Sequence, residues 1–552
     1  PKNCLLFFVS DNMDLLFLFL MTFVLGFWIC KKMNEWKSLP PGPWGLPILG
    51  YLPFIDRHKP HFTLTNLSKV YGSIYGLSMG SIYTVVLSDH KLIREAFAKD
   101  VFSGRAPLYL THGLMKGFGI ICSEGARWKD QRKLITGYLK TFGMSKISSS
   151  REKLQKRIAE GVIELIFQVV KENLGSPVDL STLITHSLGN VVNDLIFGCK
   201  FPPHDKVWHW LREIQEEGCH EMGVAGAVNF LPFVRFISPS TQKSIEVLSK
   251  GQAQTHRLYA SIIAKRRKEL GLTAPEKAKY PIHENIFKEH PKGFIKYIQY
   301  SKNMDSYEEN YFDPDILISS GEECILDNYL LEQNKRFENE EDSAMYATDE
   351  QLLHLLCDMF GAGLDTTAST LNWFLLYMAM HPKEQELVRK EILEVYPEQA
   401  EIDIAKLPYL MAAISEVQRI RSIVPVGIPH GATEDTYIGD YKIPKGTMVM
   451  PLQWAIHMDP TVWENPEEFK PSRFIDETGS LLKPQEFIPF QTGKRMCPGD
   501  ELSRMISTCF IVYLFRSVRL SLASDPPTEG EMEGEIGLTL TPPKVLFRCE
   551  AV

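Results

Sequence analysis

No CxxC pair and no zinc-like spacing occurs among the ten cysteines of this chain, which are scattered through apolar runs. They read as mostly reduced core residues of a cytosol-facing protein, not as a disulfide framework or a metal module, with Cys497 set apart by its surroundings. Excess positive charge is absent as well. A count of 60 Lys and Arg against 68 Asp and Glu leaves a net charge of −8, so no nucleic-acid partner is expected. No Rossmann or flavin-binding fingerprint occurs, so electrons for any redox chemistry would come from a separate protein. No Gly/Ser linker or repeat divides residues 38–552, and that stretch reads as one domain despite a total length of 552.

Leu15 to Cys30 is a near-continuous apolar stretch followed by Lys31 and Lys32. As a helix it would span roughly 24 Å at about 1.5 Å per residue, slightly less than the ~27 Å hydrocarbon layer of the endoplasmic reticulum. A cleaved signal peptide is disfavoured, because no small-residue cleavage site follows and the cations lie on the C-terminal side. Asp14 before the run and Lys31, Lys32 and Lys37 after it would leave the C-terminal body in the cytosol. Residues 13–37 are therefore expected to anchor the chain in the membrane. Residues 1–12, ahead of Met13, are expected to stand outside the fold.

A composition of 44% hydrophobic and 23% charged residues fits a globular body with a substantial core. Ser73 to Ser88 alternates and breaks at Gly80-Ser81, which predicts a β-hairpin. Most of the remainder has helical period, so the expected fold is mainly α with a small β-sheet region. The clearest helix runs from about Asp349 to His381. Thr348 and Gln351 form an expected capping box, and Leu352, Leu355, Leu356, Met359 and Phe360 share a face. Pro382 closes the helix. Being apolar on most sides it should be central, with Gly361 and Gly363 weakening its middle. Residues 277–320 are rich in Lys, Glu, Asp, Asn and Tyr. They are expected to form an exposed polar insert, or a segment foreign to the native protein.

The run Phe490-Gln-Thr-Gly493-Lys-Arg495-Met-Cys497-Pro-Gly499 carries the chemistry. It sets one cysteine in a Gly-bounded loop, beside two cations and ahead of a helix-like stretch from Asp500 to Phe515. A thiolate there would be stabilised by the helix N-terminus and by Lys494 and Arg495. The glycines let backbone pass close to a flat cofactor. Such a loop can present an axial thiolate to haem iron, which favours O–O cleavage. A buried cysteine in a Gly-rich turn is the bland alternative, and five positions of Phe-x-x-Gly-x-Arg-x-Cys-x-Gly filled together disfavour it.

With this run the chain resembles the cytochrome P450 family, microsomal type. Further matches follow in family order over residues 38–552. They are Pro40-Pro-Gly-Pro-Trp-Gly-Leu-Pro47 for the hinge, Trp128-Lys-Asp-Gln-Arg132 for a haem-binding helix, and Ala362-Gly-Leu-Asp365-Thr366-Thr367 for oxygen activation. Glu416-Val-Gln-Arg419 matches the Glu-x-x-Arg motif, and Asp459-Pro460 to Arg473-Phe474 the meander, with Ser472 where the family often has Glu. The resemblance implies a haem-thiolate monooxygenase with an N-terminal transmembrane helix, seated in the endoplasmic reticulum membrane.

It further implies haem b as cofactor, with Cys497 as the axial ligand and Arg105, Trp128, Arg132, His430 and Arg495 around its propionates. Buried carboxylates require cations or donors, and Arg supplies a bidentate fork. Glu416 and Arg419 lie one helical turn apart. They are expected to form a buried structural network with Arg473 that fixes the cysteine loop, with Arg421 outside it. Asp365 and Thr366 are expected to be catalytic: Thr366 steadies activated oxygen at an opened helical turn while Asp365 relays protons. The alternative for Thr366 is a hydroxyl bonded back to its own helix.

Leu108 to Ile121, Met222 to Phe236, Ile423 to Ile428 and Gly537 to Thr541 are the expected substrate walls. They offer Val424, Pro425, Val426, Phe230, Leu231 and Phe233 but no cationic cluster, which suits a large apolar, sterol-like ligand delivered from membrane lipid. NADPH–cytochrome P450 reductase is the implied electron donor, with cytochrome b5 as a further partner. Arg127, Lys129, Arg132, Lys133 and Lys494 are the candidate basic face. Within the family, the wording of Pro489 to Leu502 and the long insert resemble the arthropod ecdysteroid hydroxylases, in particular the ecdysteroidogenic 25-hydroxylase. A 26-hydroxylase that inactivates the hormone, a xenobiotic monooxygenase and a haem sensor or carrier without turnover stand as alternatives.

Overall fold

Strand β1 (Ile74–Met79) and strand β2 (Ile82–Leu87) pair antiparallel from Ile74↔Leu87 to Met79↔Ile82, so the expected hairpin forms around Gly80. Gly80 adopts φ +57°, and a Cβ there would lie 2.7 Å from the Phe230 carbonyl oxygen, so glycine serves both the turn and a close approach. Three short strands complete the sheet: β3 (Gly104–Arg105), β4 (His430–Gly431) and β5 (Met448–Pro451). Their order is β1-β2-β5-β4-β3. Strand β5 runs parallel to β2 and antiparallel to β4, and β4 pairs with β3 in a register that sets Arg105 opposite His430. Sheet pairing thereby brings together two candidate site residues that are remote in sequence.

The computed structural model describes residues 38–144, 149–172, 174–202, 205–221, 226–236, 238–273, 317–397 and 401–551. The expected anchor at 13–37, the leading residues 1–12, residues 222–225 of the expected lid and residues 277–316 of the expected insert lie outside the described residues. No helix among the described residues is long and apolar enough to cross a membrane. The expected insert boundary at Ser320 is corrected. Leu317 is buried, Ile318 and Ser319 pair with Lys200 and Cys199, and the Ser320 N–H donates to the Gly198 carbonyl at 2.9 Å. Residues 317–320 therefore join the body, held by the buried Leu317 side chain and a short backbone pairing, while Ile318 itself stays exposed.

Seven helices position the site: α1 (Gly125–Leu139), α2 (Ser149–Glu172), α3 (Leu180–Phe197), α4 (Pro239–Glu269), α5 (Asp349–Met380), α6 (Pro408–Ile420) and α7 (Asp500–Ser517). Helix α5 is central, as its apolar circumference requires. Leu352, Leu355, Leu356, Phe360 and Leu364 share one core with Leu188, Val191 and Val192 of α3 and with Met505, Ile506 and Phe510 of α7. At its start the Thr348 side chain accepts from the Gln351 N–H at 3.3 Å, but the reciprocal half of the capping box does not form. The Gln351 side chain instead exchanges two hydrogen bonds with the Gly119 backbone, at 3.2 and 3.0 Å. A buried amide with both ends satisfied by a loop leaves nothing for its own N-cap. Gly361 and Gly363 do not interrupt the helix. A Cβ at Gly361 would lie 2.8 Å from Gln215 Nε2, so that glycine permits a close approach, whereas one at Gly363 would make an ordinary 3.5 Å contact with Val192.

Candidate active site

The cysteine loop is built on backbone. The Cys497 N–H donates to the Phe490 carbonyl at 3.0 Å and the Met496 N–H to the Gly493 carbonyl at 3.2 Å. Gly493 takes φ +79°, and a Cβ there would sit 2.2 Å from the Phe97 carbonyl oxygen, so only glycine fits. Helix α7 begins at Asp500, and its Ser503 hydroxyl lies 3.3 Å from that of Thr367 on α5. That contact pins the helix behind the cysteine to the turn that carries Asp365 and Thr366.

The expected cationic support for Cys497 is redistributed. Lys494 pairs with Asp100 at 2.6 Å, on the outside. Arg495 points the other way, into a buried bay, where it donates to the carbonyls of Ser103 (2.6 Å), Ile121 (3.3 Å) and Ser123. The cation that acts on the cysteine is Arg132, which donates to the Met496 carbonyl at 2.5 Å. Burial pushes the Cys497 thiol up, while a hydrogen bond from Gly499 N–H and the Arg132 charge pull it down. Metal coordination would deprotonate a thiol held there.

The bay around Arg495 tests whether the chain fits haem. Arg105 is also buried there, donating to the Ile121 carbonyl at 2.6 Å and the Pro429 carbonyl at 3.2 Å. Among the described residues, neither guanidinium forms an ion pair with a carboxylate. Burial and mutual repulsion push Arg495 down to about 7, and burial pushes Arg105 to about 10. The Glu124 carboxylate acts on both from nearby, yet two buried cations hydrogen-bonded only to carbonyls still favour further negative charge, and a pair of carboxylates fits. Trp128 supplies a ring face under Arg495, with the guanidinium 4.4 Å from its centroid. His430 stacks on Phe97 at 3.6 Å and commits Nδ1 to the Phe102 carbonyl at 2.7 Å, which leaves Nε2 beside Gln491 at 3.4 Å. Within α5, Ala362 is exposed and Cys357, Asp358, Met359, Gly363, Asp365 and Thr366 are only half-buried. An open space therefore borders this part of the central helix.

The remaining expected residues separate cleanly. Glu416 and Arg419 have no exposed side-chain surface and form a two-point pair at 2.7 and 2.9 Å. Arg473 joins at 2.9 Å, and Arg419 also donates to the carbonyls of His457 and Pro466, both at 2.8 Å. His457 Nε2 in turn accepts from Ile488 N–H at 3.1 Å, which connects this network to the segment leading into the cysteine loop. Arg421 lies outside the network, over Trp373 and Tyr377. Thr366 donates to the Ala362 carbonyl at 2.7 Å in an unbroken helix, so the expected opened turn is corrected to a back-bonded one. Arg127 leaves the candidate basic face, because its guanidinium packs 4.5 Å from the Phe118 ring centroid.

The expected substrate walls are revised in the same way. Phe230, Leu231 and Val426 belong to the core cluster beneath the β1–β2 hairpin, and Phe233 is exposed. Aromatic and aliphatic side chains near the sheet are taken by that core before a ligand can meet them. Val424 remains half-buried, and Leu540 N–H donates to the Ile423 carbonyl at 2.8 Å, which joins two wall segments. Two residues without a motif also enter. Thr539 donates to Asp365 Oδ2 at 2.7 Å, a contact no local pattern announces. Asp358 lies two helical turns before Asp365 on the same face, and a carboxylate within an apolar helix was the available signal.

The cytochrome P450 family model matches residues 40–548, and the chain belongs to that family. It is 43% identical over 556 residues to cytochrome P450 306a1 of Drosophila melanogaster, covering 94% of this chain and 91% of that one. Cytochrome P450 18a1 of the same organism is 34% identical over 93% of this chain and 87% of its own. Human cytochrome P450 2U1 is 30% identical over 93% of this chain and 90% of its own. The protein is therefore a monooxygenase of mainly helical P450 fold. The family implies a haem-thiolate centre supplied with electrons by a partner reductase.

Proposed function

We propose that Cys497 is the axial ligand and that Arg105, Arg132, Arg495, Trp128 and His430 surround the haem propionates. The observation that carries this reading is the pair of buried guanidiniums, Arg105 and Arg495, held only by carbonyl oxygens. Haem, when bound, supplies dioxygen activation, which an axial thiolate favours by donating electron density. The chain's own residues do the rest. Arg132 fixes the Met496 carbonyl and lends charge to the adjacent cysteine. Thr366 keeps a hydroxyl at the open face of α5, and Asp365, held by Thr539, stands beside it as the group that moves protons. Glu416, Arg419 and Arg473 brace the approach to the cysteine loop.

The preferred reaction is hydroxylation of an ecdysteroid precursor on its side chain, at carbon 25. Support comes from the motif wording of Pro489 to Leu502, from the apolar wall segments Ile423 to Ile428 and Gly537 to Thr541, and from the absence of a cationic cluster there. Apolar burial at about 25 cal/mol per Å² can supply most of the binding energy for a sterol skeleton. Residues 38–552 form the catalytic body, held at the endoplasmic reticulum membrane by residues 13–37. NADPH–cytochrome P450 reductase, with cytochrome b5 as a further partner, delivers electrons on the side of Lys129, Lys133 and Lys494. The experiment is incubation of the full chain with reductase, NADPH and a ketotriol-type precursor, with products identified by mass spectrometry and NMR. A product hydroxylated at carbon 26 moves the assignment to hormone inactivation. Oxidation of small foreign compounds without turnover of any ecdysteroid removes the steroid reading. Failure to consume NADPH at all would leave a haem carrier.

A further inference from the structure

Residues 119–121 close on the central helix through three successive N–H groups and the Gly119 carbonyl. Gly119 takes φ +76°, and its carbonyl accepts from Gln351 Nε2 at 3.0 Å and from Ser123 Oγ at 2.6 Å. The next two N–H groups, of Ile120 and Ile121, both donate to Oδ2 of Asp358, at 2.7 and 2.8 Å. Successive N–H groups converging on one oxygen make a backbone nest for an anion. No side chain fits at position 119, since a Cβ there would lie 2.2 Å from Asp358 Oδ2. The carbonyl of Ile121 then faces the propionate bay, accepting from Arg105 Nε at 2.6 Å and from Arg495 Nη1 at 3.3 Å. One residue is thus gripped at its N–H by the central helix and grips two buried guanidiniums at its carbonyl. Asp358 is half-buried on the central helix, and desolvation of its carboxyl pushes it up to about 7 against the pull of those two N–H groups and of Arg105. Retaining an acid in that place is costly unless it holds something.

The geometry points to Asp358 as a positioning residue for cofactor retention. Its carboxylate locks residues 119–121 so that the Ile121 carbonyl keeps Arg105 and Arg495 aimed at the haem propionates. The loop from Leu108 to Ile121, one of the proposed substrate walls, is thereby mechanically tied to the haem anchors. This role rests on the proposal that Arg105 and Arg495 bind the propionates.

The test uses the full chain carrying Asp358→Ala, Asp358→Leu, Asp358→Asn or Gly119→Ala, with Arg495→Gln as the control for the propionate reading. Two readouts are taken on protein that shows the thiolate-type carbon-monoxide spectrum. One is the rate of haem transfer to excess apomyoglobin, and the other is amide hydrogen exchange of residues 117–123. Losing a buried acceptor from two N–H groups should speed haem loss by about ten-fold or more in Asp358→Ala and raise exchange in that segment. Gly119→Ala should behave alike, because its Cβ displaces the carboxylate. Asp358→Asn keeps an acceptor oxygen and should rescue haem retention to within about three-fold of the parent, whereas Asp358→Leu, which fills the space without an acceptor, should not. Should Asp358→Ala fail to load haem at all, rescue by Asp358→Asn alongside failure of Gly119→Ala supports the same role. Raised exchange with unchanged haem loss would overturn the coupling to the arginines, and unchanged exchange would overturn the grip on the loop. Unchanged haem loss in Arg495→Gln would instead remove the propionate reading beneath it.

Discussion

Thr539 Oγ1 donates to Asp365 Oδ2 at 2.7 Å, joining the C-terminal hairpin to the acidic residue of the oxygen-activation motif. Thr539 is 2% exposed and Asp365 half-buried, so the donor is fixed in the body and holds one rotamer of the carboxylate. Thr539→Val keeps the shape and removes the donor. Product formed per NADPH should fall by about three- to ten-fold, with the ferric and carbon-monoxide spectra unchanged. Thr539→Ser should recover most of the loss. Full coupling in Thr539→Val would show that Asp365 is positioned by other contacts.

Thr366→Ala removes the hydroxyl at the open face of α5 but spares the helix, because its bond to Ala362 is additional to the helical ladder. Haem content and substrate-induced spectral change should stay near the parent values. Losing a positioned proton-transfer group costs ~10²-fold or more, so reducing equivalents should appear as peroxide. An unaltered product yield would reduce Thr366 to a helix residue.

Cys497→His should retain some haem, since the bay around Arg105 and Arg495 is untouched, but lose thiolate character. The measurement is the Soret band of the reduced carbon-monoxide complex. A persistent red-shifted thiolate band would place the ligand elsewhere.

Glu416→Ala strands Arg419, whose side chain is wholly buried, and removes the acceptor shared with Arg473. Breaking a buried pair on one side costs ~3–5 kcal/mol. Urea unfolding should shift by that amount, and haem incorporation during expression should drop. A loss below about 1 kcal/mol would mean that the pair behaves as a surface one.

Acid should destabilise the body below neutrality. Burial lowers His61 and His256 to about 4 and His354 and His457 to about 3, and holds His430 well below its ordinary value. Below about pH 6.5 the unfolded chain takes up protons that these five folded histidines refuse, so stability falls with falling pH. Each contributes up to ~1.4 kcal/mol per pH unit until its folded value is reached. Asp358 opposes them: between its unfolded value and about 7 it carries a proton in the folded state that the unfolded chain has released. Burial also raises Glu391, which acts in the same direction, so the net slope should be shallower than the five histidines alone would give. Urea midpoints across that range test this, and His457→Gln should flatten the curve. Stability that is constant or rising toward acid would contradict neutral burial of these rings.

The candidate site residues stand out in the sequence because each sits in a short pattern. Cys497 lies among glycines that a tight loop demands, Glu416 and Arg419 are one turn apart, and Asp365 interrupts an apolar helix. The hairpin at Gly80, the central helix and the mainly α character followed from periodicity alone, since burial of one face enforces a repeat that composition displays. Tertiary structure decided which partner each charge would take. Lys494 turned outward to Asp100 while Arg495, its neighbour, turned inward, and nothing in Lys-Arg states that division. The Gln351 side chain left its own helix cap for the Gly119 backbone, and Phe230 and Leu231 went to the core beneath the hairpin and not to a ligand wall. Thr539 reached Asp365, and Asp358 closed on Ile120 and Ile121, across separations that no local pattern records. Hydrogen bonds and ion pairs are satisfied by whatever the packed core brings within about 3 Å. Periodicity specifies which surfaces meet, but only the packed arrangement specifies which atoms do.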